Sequence, residues 1–349
     1  MVSCRMPELF LSRLRERLGE GVTAVRRPVL ALAGATLLAA CGSPAPRNTA
    51  TASSSAAPSA SQVTHVKIGF TSKSTGGLYM YVGRDLGIFQ KHGIDPEIVI
   101  GQSEALVTGL NQGDIEFMGT LPSAAQGAQK GLPMRAVFVA KDHPEYLLVG
   151  DQGVSQVSQL TGKQLAGSIA TQLPSLMMKR LLELDGLQFS DYTVVPVSND
   201  SARTALVANH RVAAGILGLS QALPLMDEGH PVIDSTLSKV FWPSNGLSVT
   251  LDSLNKRRDM VQRTVDAALE ATKVAAEDKD RTVGVLVKDF QLTPDQAGRL
   301  FDLMKPTYTH NGRPNPEAVR FQLETDAKAM ELPQPATEAQ VYDYSLLPK

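Results

Sequence analysis

The sequence predicts an α/β protein of two lobes, each built on a mostly parallel sheet with flanking helices, with a hinge between the lobes. Three observations carry that expectation. From about Val63, strand-like apolar runs alternate with helix-like stretches every ten to fifteen residues, the order that gives a parallel sheet covered on both faces. After about residue 150 the same alternation begins again. From Arg257 onward the chain reads as almost all helix.

The elements follow in order. His65–Thr71 (HVKIGFT) alternates polar and apolar residues and reads as the first strand. Ser72–Gly77 (SKSTGG) is a loop of small residues. Leu78–Phe89 has helical spacing, with Met80, Val82 and Leu86 on its apolar side, and Gly87 and Gly93 punctuate its end. Asp95–Ile100 is the second strand. A helix starts at Ser103, with Ala105, Leu106 and Leu110 as its stripe. Ile115–Met118 is the third strand, and Gly119-Thr120-Leu121-Pro122 leads into another short helix. Met134–Ala140 and Tyr146–Val149 read as the fourth and fifth strands, closing a first lobe at about residue 150.

The second unit begins with Leu160-Thr-Gly-Lys163 and a strand over Gln164–Ile169. Pro174–Leu184 is a helix, with its proline in the first turn, where a missing N–H costs nothing. Strands over Thr193–Val197, Val212–Leu217 and Val232–Asp234 alternate with helices over Ser201–Ala208 and Ser220–Glu228. The two units share an order of elements and no residue-level repeat. Gly246–Leu251 (GLSVTL) is a further strand. Helices follow over Arg258–Glu277, whose Met260, Val261, Val265, Ala268, Leu269 and Val274 recur at helical spacing, then over Thr282–Phe290, Pro294–Leu303 and Pro316–Met330. This tail is expected to pack back on the first lobe, which then comprises residues 63–150 and 246–349, with 151–245 as the second lobe. The chain so crosses between lobes twice, near Val149–Val154 and near Phe241–Gly246. Closure about such a double crossing traps a ligand.

The first 62 residues read differently. Arg13, Arg15, Arg17, Arg26 and Arg27 precede Val29–Ala40 (VLALAGATLLAA), an apolar run shorter than the roughly 20 residues that span a bilayer. A charged start, a short apolar run and small residues before a cut site mark a secretory signal, here residues 1–40. Leu38-Ala39-Ala40-Cys41, followed by Gly42 and Ser43, looks like a bacterial lipobox, which implies lipidation of Cys41 and anchoring at a membrane. Residues 41–62, rich in Ser, Ala, Pro and Thr, read as a flexible linker with too little apolar surface to order itself.

Composition excludes several function classes. From Cys41 onward there are 28 basic and 32 acidic residues, net −4, which gives no electrostatic footprint for nucleic acid. The two cysteines, Cys4 and Cys41, leave the body without a disulfide, a thiolate-bound metal or a thiol nucleophile. The six histidines are scattered without metal-ligand spacing, and neither a Gly-x-Ser-x-Gly elbow nor a Walker loop occurs. No enzyme activity, cofactor or metal is expected.

Four segments carry a resemblance: Asp85-Leu-Gly-Ile-Phe-Gln-Lys-His-Gly-Ile-Asp95, Gly109-Leu-Asn-Gln-Gly-Asp-Ile-Glu116, Leu160-Thr-Gly-Lys163 and Gly246-Leu-Ser-Val-Thr250. In order and spacing the body resembles the nitrate/sulfonate/taurine-type solute-binding proteins of ABC importers. The family often carries a second Gly-x-Asp-Ala in the second lobe, where this chain has His210-Arg-Val-Ala-Ala214. The resemblance implies the type II periplasmic-binding fold and a monomeric, extracytoplasmic receptor that captures a small organic solute, sulfonate- or taurine-like, for membrane permease subunits. It also implies an alternative, a binder of a thiamine pyrimidine precursor or another aromatic heterocycle. A fold-related enzyme group makes that pyrimidine with a Cys-rich motif, which the body lacks.

The candidate binding residues lie in loops after the strands, because open α/β sheets bind ligands beyond their carboxyl ends and helix N-termini there offer free N–H groups. They are Ser74, Thr75, Gly76 and Gly77; Ser103 and Glu104; Thr120 and Leu121; Thr171 and Gln172; and Gly218 and Ser220. Each of these also has an ordinary reading as a cap or turn residue. Tyr79 and Trp242 read either as ring-stacking residues or as core and hinge packing. Arg203 reads as an anion partner or as part of a solvated helix face.

Overall fold

A computed structural model describes residues 63–349; the expected signal peptide, the linker and the lipid acceptor Cys41 lie outside the described residues. The first lobe runs β1 (Thr64–Phe70), α1 (Leu78–Asp85), α2 (Ile88–Lys91), β2 (Ile94–Ile100), α3 (Ser103–Gln112), β3 (Phe117–Thr120), α4 (Leu121–Gln129) and β4 (Met134–Lys141). The second runs β5 (Tyr146–Gly150), β6 (Gln164–Gly167), α5 (Leu173–Leu184), β7 (Thr193–Pro196), α6 (Asp200–Ala208), β8 (Ala214–Gly218), α7 (Leu219–Asp227) and β9 (Val232–Ser235). Then come β10 (Asn245–Thr250), α8 (Leu251–Lys256), α9 (Arg258–Glu277), α10 (Lys279–Phe290), α11 (Pro294–Met304), α12 (Pro316–Ala329) and α13 (Glu338–Val341).

The single helix expected over Leu78–Phe89 is two. Gly87 adopts φ 70°, a left-handed conformation open to glycine, and this turns the chain between α1 and α2.

The strands form two five-stranded sheets, ordered β2-β1-β3-β10-β4 and β7-β6-β8-β5-β9. The two orders are the same: second, first, third, an inserted strand, fourth. In the first sheet β1 is parallel to β2 and β3, and β10 runs antiparallel between β3 and β4. In the second, β6 is parallel to β7 and β8, and β5 runs antiparallel between β8 and β9. Four strands of each sheet therefore share a direction and one opposes them.

The opposing strands are the ones that follow the interlobe crossings. β5, read from the sequence as the last strand of the first lobe, is hydrogen-bonded into the second sheet. The first crossing is thus residues 142–145, earlier than Val149–Val154, and the second is residues 236–244. They run side by side. The Trp242 N–H donates to the Asp142 carbonyl at 2.6 Å, and the Ser244 N–H donates to the Lys141 carbonyl at 2.9 Å.

Strands β4, β5, β8 and β10 are covered on both faces and buried almost throughout, whereas the edge strands β2, β7 and β9 leave residues exposed. Gly119 of β3 is required by a close approach, since a Cβ there would lie 2.1 Å from the Phe70 ring of β1. Gly83 of α1 plays the same part against the tail. A Cβ on it would meet the Phe89 ring at 2.4 Å and the Ala271 methyl of α9 at 2.8 Å. That stripe of α9 buries Met260, Val261, Val265, Ala268 and Ala271. The tail does pack on the first lobe, and it also reaches the second. Asp227 of α7 accepts hydrogen bonds from Arg299 and Gln296 of α11, each at 2.7 Å. Phe321 of α12 stands edge-on to Trp242, centroids 5.8 Å apart, beneath the Arg180 guanidinium.

Among the described residues no helix is long and apolar enough to cross a membrane. Also among them, no group of three or more His, Cys, Asp or Glu is placed to hold a metal ion.

Candidate functional site

The parallel strands of the two sheets turn their carboxyl ends toward one cleft, and β5 and β10 present their amino ends to it. The first lobe lines it with Thr71, Ser72, Ser74, Thr75, Gly76 and Thr120. The second supplies Tyr146, Leu173, Asp200 and Gly218, and the crossings supply Pro144, Glu145, Ser244 and Asn245. The cavity is about 70 Å³ and opens to solvent.

Of the residues expected from the sequence, Ser74, Thr75, Gly76, Thr120 and Gly218 line the cleft together. The remainder do not. Gly77 packs beneath Phe70, whose ring lies 3.1 Å from the position of a Cβ. Leu121 is fully buried in the core, and its N–H donates to the Ser244 carbonyl. Ser103 accepts a hydrogen bond from Ser123 at 3.0 Å, and Glu104 is exposed on the outer side of α3. Thr171 and Gln172 sit just before Leu173, with the Thr171 carbonyl accepting from Gln126 of α4 at 3.1 Å across the lobes. Ser220 donates to Gln221. Tyr79 is core, fully buried, with its hydroxyl donating to the Gly246 carbonyl at 2.6 Å. Trp242 packs in the second crossing. Arg203 is neither a surface residue nor a free anion partner, because its side chain is fully buried. Its Nε donates to the Ile216 carbonyl at 3.1 Å, Nη1 to the Val197 carbonyl at 2.8 Å, and Nη2 to Asp200.

Glu145, Asp200, Ser244 and Asn245 were not legible as site residues. The last two lead into a strand whose antiparallel insertion no local pattern reveals. Glu145 lies in the first crossing, which the strand reading had placed inside a lobe. It is paired there with the fully buried Lys141. Burial pushes the Lys141 ammonium below its usual range, and the neighbouring Glu145 opposes that shift. The ammonium also donates to the Thr75 carbonyl at 3.0 Å and lies over the Tyr308 ring, 4.2 Å from its centroid. Glu145 further accepts from Thr75 Oγ1 at 2.8 Å and from Thr307 Oγ1 at 3.2 Å. This cluster joins the cleft loop, the crossing and the tail.

The periplasmic aliphatic sulphonate binding protein SsuA from Escherichia coli is similar over 80% of this chain and 97% of its own, at 16% identity and a TM-score of 0.67. The alkanesulfonate-binding protein SsuA from Xanthomonas axonopodis pv. citri, solved with MOPS bound, matches over 80% and 98%, at 15% identity and a TM-score of 0.66. The desulfurization enzyme DSZB matches over 81% and 97%, at 15% identity and a TM-score of 0.63. Likeness at such identity establishes the fold, the two-lobed type II periplasmic-binding architecture expected from the sequence. No curated protein matches the chain by sequence. Residues 74–282 match the protein family described as NMT1/THI5 like.

Proposed function

The chain belongs to the NMT1/THI5-like family, and from that membership we propose that it is the extracytoplasmic solute-binding subunit of an ABC importer. It captures a small organic solute, sulfonate- or taurine-like, in the interlobe cleft and delivers it to a membrane permease. The observation that carries this reading is the cleft itself. Polar loops from both lobes meet there over two adjacent crossings, so closure buries an occupant and opening releases it. The SsuA structures, described as sulfonate-binding proteins, support the same class.

Tyr146, the aromatic residue among those lining the cleft, favours a second ligand class, a thiamine pyrimidine precursor or another aromatic heterocycle. A catalytic reading draws on the shared fold of DSZB. Against it, residues 63–349 contain no cysteine, so the Cys-rich motif of the pyrimidine-making enzymes has no counterpart.

A thermal-shift panel of sulfonates, taurine, nitrate, thiamine precursors and aromatic acids tests the proposal. A solute present at 100 times its Kd is expected to stabilise the protein by about 2.7 kcal/mol. Silence across the panel together with turnover of some substrate would sink the receptor reading.

Anchoring is a separate part of the proposal. We expect labelled palmitate to enter the wild-type chain in a bacterial host and to be absent from Cys41→Ala, with the variant released from the membrane fraction. Equal labelling of both would refute Cys41 as the acceptor.

A further inference from the structure

The polarity of the cleft narrows its ligand. Among its lining residues the charged ones are Glu145 and Asp200, and there is no Lys, Arg or His. The cations of the adjoining segments are engaged elsewhere. Lys141 is fully buried, and its ammonium is spent on Glu145, the Thr75 carbonyl and the Tyr308 ring. Arg203 is fully buried, with its donors directed to two carbonyls and Asp200. Lys73 lies over the Tyr81 and Phe290 rings, 5.6 and 5.5 Å from their centroids, and does not line the cleft.

The two carboxylates differ in what they have left to accept. Both oxygens of Glu145 are occupied, Oε1 by Lys141 and Thr307 and Oε2 by Thr75. Asp200 uses Oδ1 for Arg203, and its Oδ2 accepts no hydrogen bond among the described residues. That oxygen borders Gly218, 4.0 Å from where a Cβ on the glycine would stand, and Gln221 Oε1 lies 2.8 Å from the same point. Two acceptor oxygens thus flank the space left by the missing side chain. A bare sulfonate or carboxylate placed there would meet acceptor oxygens only: Arg203 offsets the Asp200 charge from behind, and no cation among the lining residues offers the anion a donor. The start of α7 offers only about half a charge, and the start of α6 is already answered by Asp200 in its first turn. An N–H head gains a charge-assisted hydrogen bond instead.

Resting on the receptor reading above, we propose that Asp200 Oδ2 is the specificity-determining acceptor of the cleft and that the solute carries an N–H head: an ammonium, an amidine or a ring amino group. Arg203 is a positioning residue that fixes the Asp200 carboxylate from behind.

Calorimetric titration of the mature protein with matched pairs tests this: ethanesulfonate with taurine, propionate with β-alanine, and pyrimidine with 4-aminopyrimidine. In at least one pair the amino member is expected to bind about tenfold or more tighter than its partner. Asp200→Asn puts a donor in place of the free acceptor and is expected to erase that preference. Gly218→Ala leaves the Asp200–Arg203 pair intact while filling the space beside Oδ2, and is expected to weaken the amino member. If Asp200→Asn fails to fold, the wild-type ratios and Gly218→Ala decide. Partners that bind as well as or better than their amino members overturn the assignment and leave the receptor reading standing. Silence from every pair also overturns it, and the receptor reading then rests on its wider panel.

Discussion

Lys141→Met is expected to lower the unfolding free energy by about 3–5 kcal/mol, the cost of leaving a buried carboxylate without its cation. Glu145 is almost fully buried, so the substitution strands its charge in the interior with only hydroxyl donors. The Thr75 carbonyl loses a donor as well. The double variant Lys141→Met/Glu145→Gln removes both charges and keeps an amide that can pair with Thr75 and Thr307. It is expected to be more stable than Lys141→Met alone, because replacing a whole buried ion pair costs far less than breaking one. Denaturant unfolding of the wild type, both single variants and the double variant supplies the full cycle. A Lys141→Met loss below about 1 kcal/mol, the level of an exposed pair, would show that water reaches Glu145 and that the cluster does not fasten the cleft loop to the crossing.

That cluster also marks where reading the sequence stops. The period of the apolar residues places almost every strand and helix, down to the start of α9 at Arg258, because each element must bury one face and the burial is written locally. Sheet membership is not local. Tyr146–Gly150 has the same apolar character whether it closes the first sheet or enters the second, and only long-range pairing with β8 decides it. The consequence spreads to the site. With the crossing at residues 142–145, Glu145 lines the cleft rather than sitting in a loop inside the first lobe.

Loop residues after the strands were legible as a class, since carboxyl ends point at ligands. Which of them line the cleft was not. Thr75 and Gly76 do, whereas Gly77, one residue on, turns under Phe70. Arg203 shows the opposite failure. On a helical wheel it reads as a surface cation, yet the carbonyls of Val197 and Ile216 draw it inward. A buried guanidinium in such a place is announced only by three-dimensional neighbours.

Asp326→Asn is expected to stabilise the protein at pH 8 and to do little below pH 4. Asp326 lies fully buried on α12. Burial pushes its carboxyl up from an ordinary 3.8 to about 7, and the hydrogen bond from Gln126 Nε2 to Oδ1, 2.8 Å long, offsets only part of that. The sign follows from proton linkage. In acid both folded and unfolded chains hold the proton, and the fold keeps its full stability. As pH rises above about 4 the unfolded chain releases the proton while the folded chain retains it. Stability then falls by about 1.4 kcal/mol per pH unit until the folded group titrates near 7, a total of about 4 kcal/mol. The variant is neutral throughout and keeps the oxygen that accepts from Gln126, so this loss is absent from it. Its advantage over the wild type should therefore open between pH 4 and 7 and level off by pH 8. Denaturant midpoints measured at pH 4, 6 and 8 resolve the two curves; parallel curves would mean that Asp326 is ionised at low cost in the fold. The Gln126 amide that serves Asp326 also donates to the Thr171 carbonyl of the second lobe. The amide nitrogen has two hydrogens, so both bonds form together.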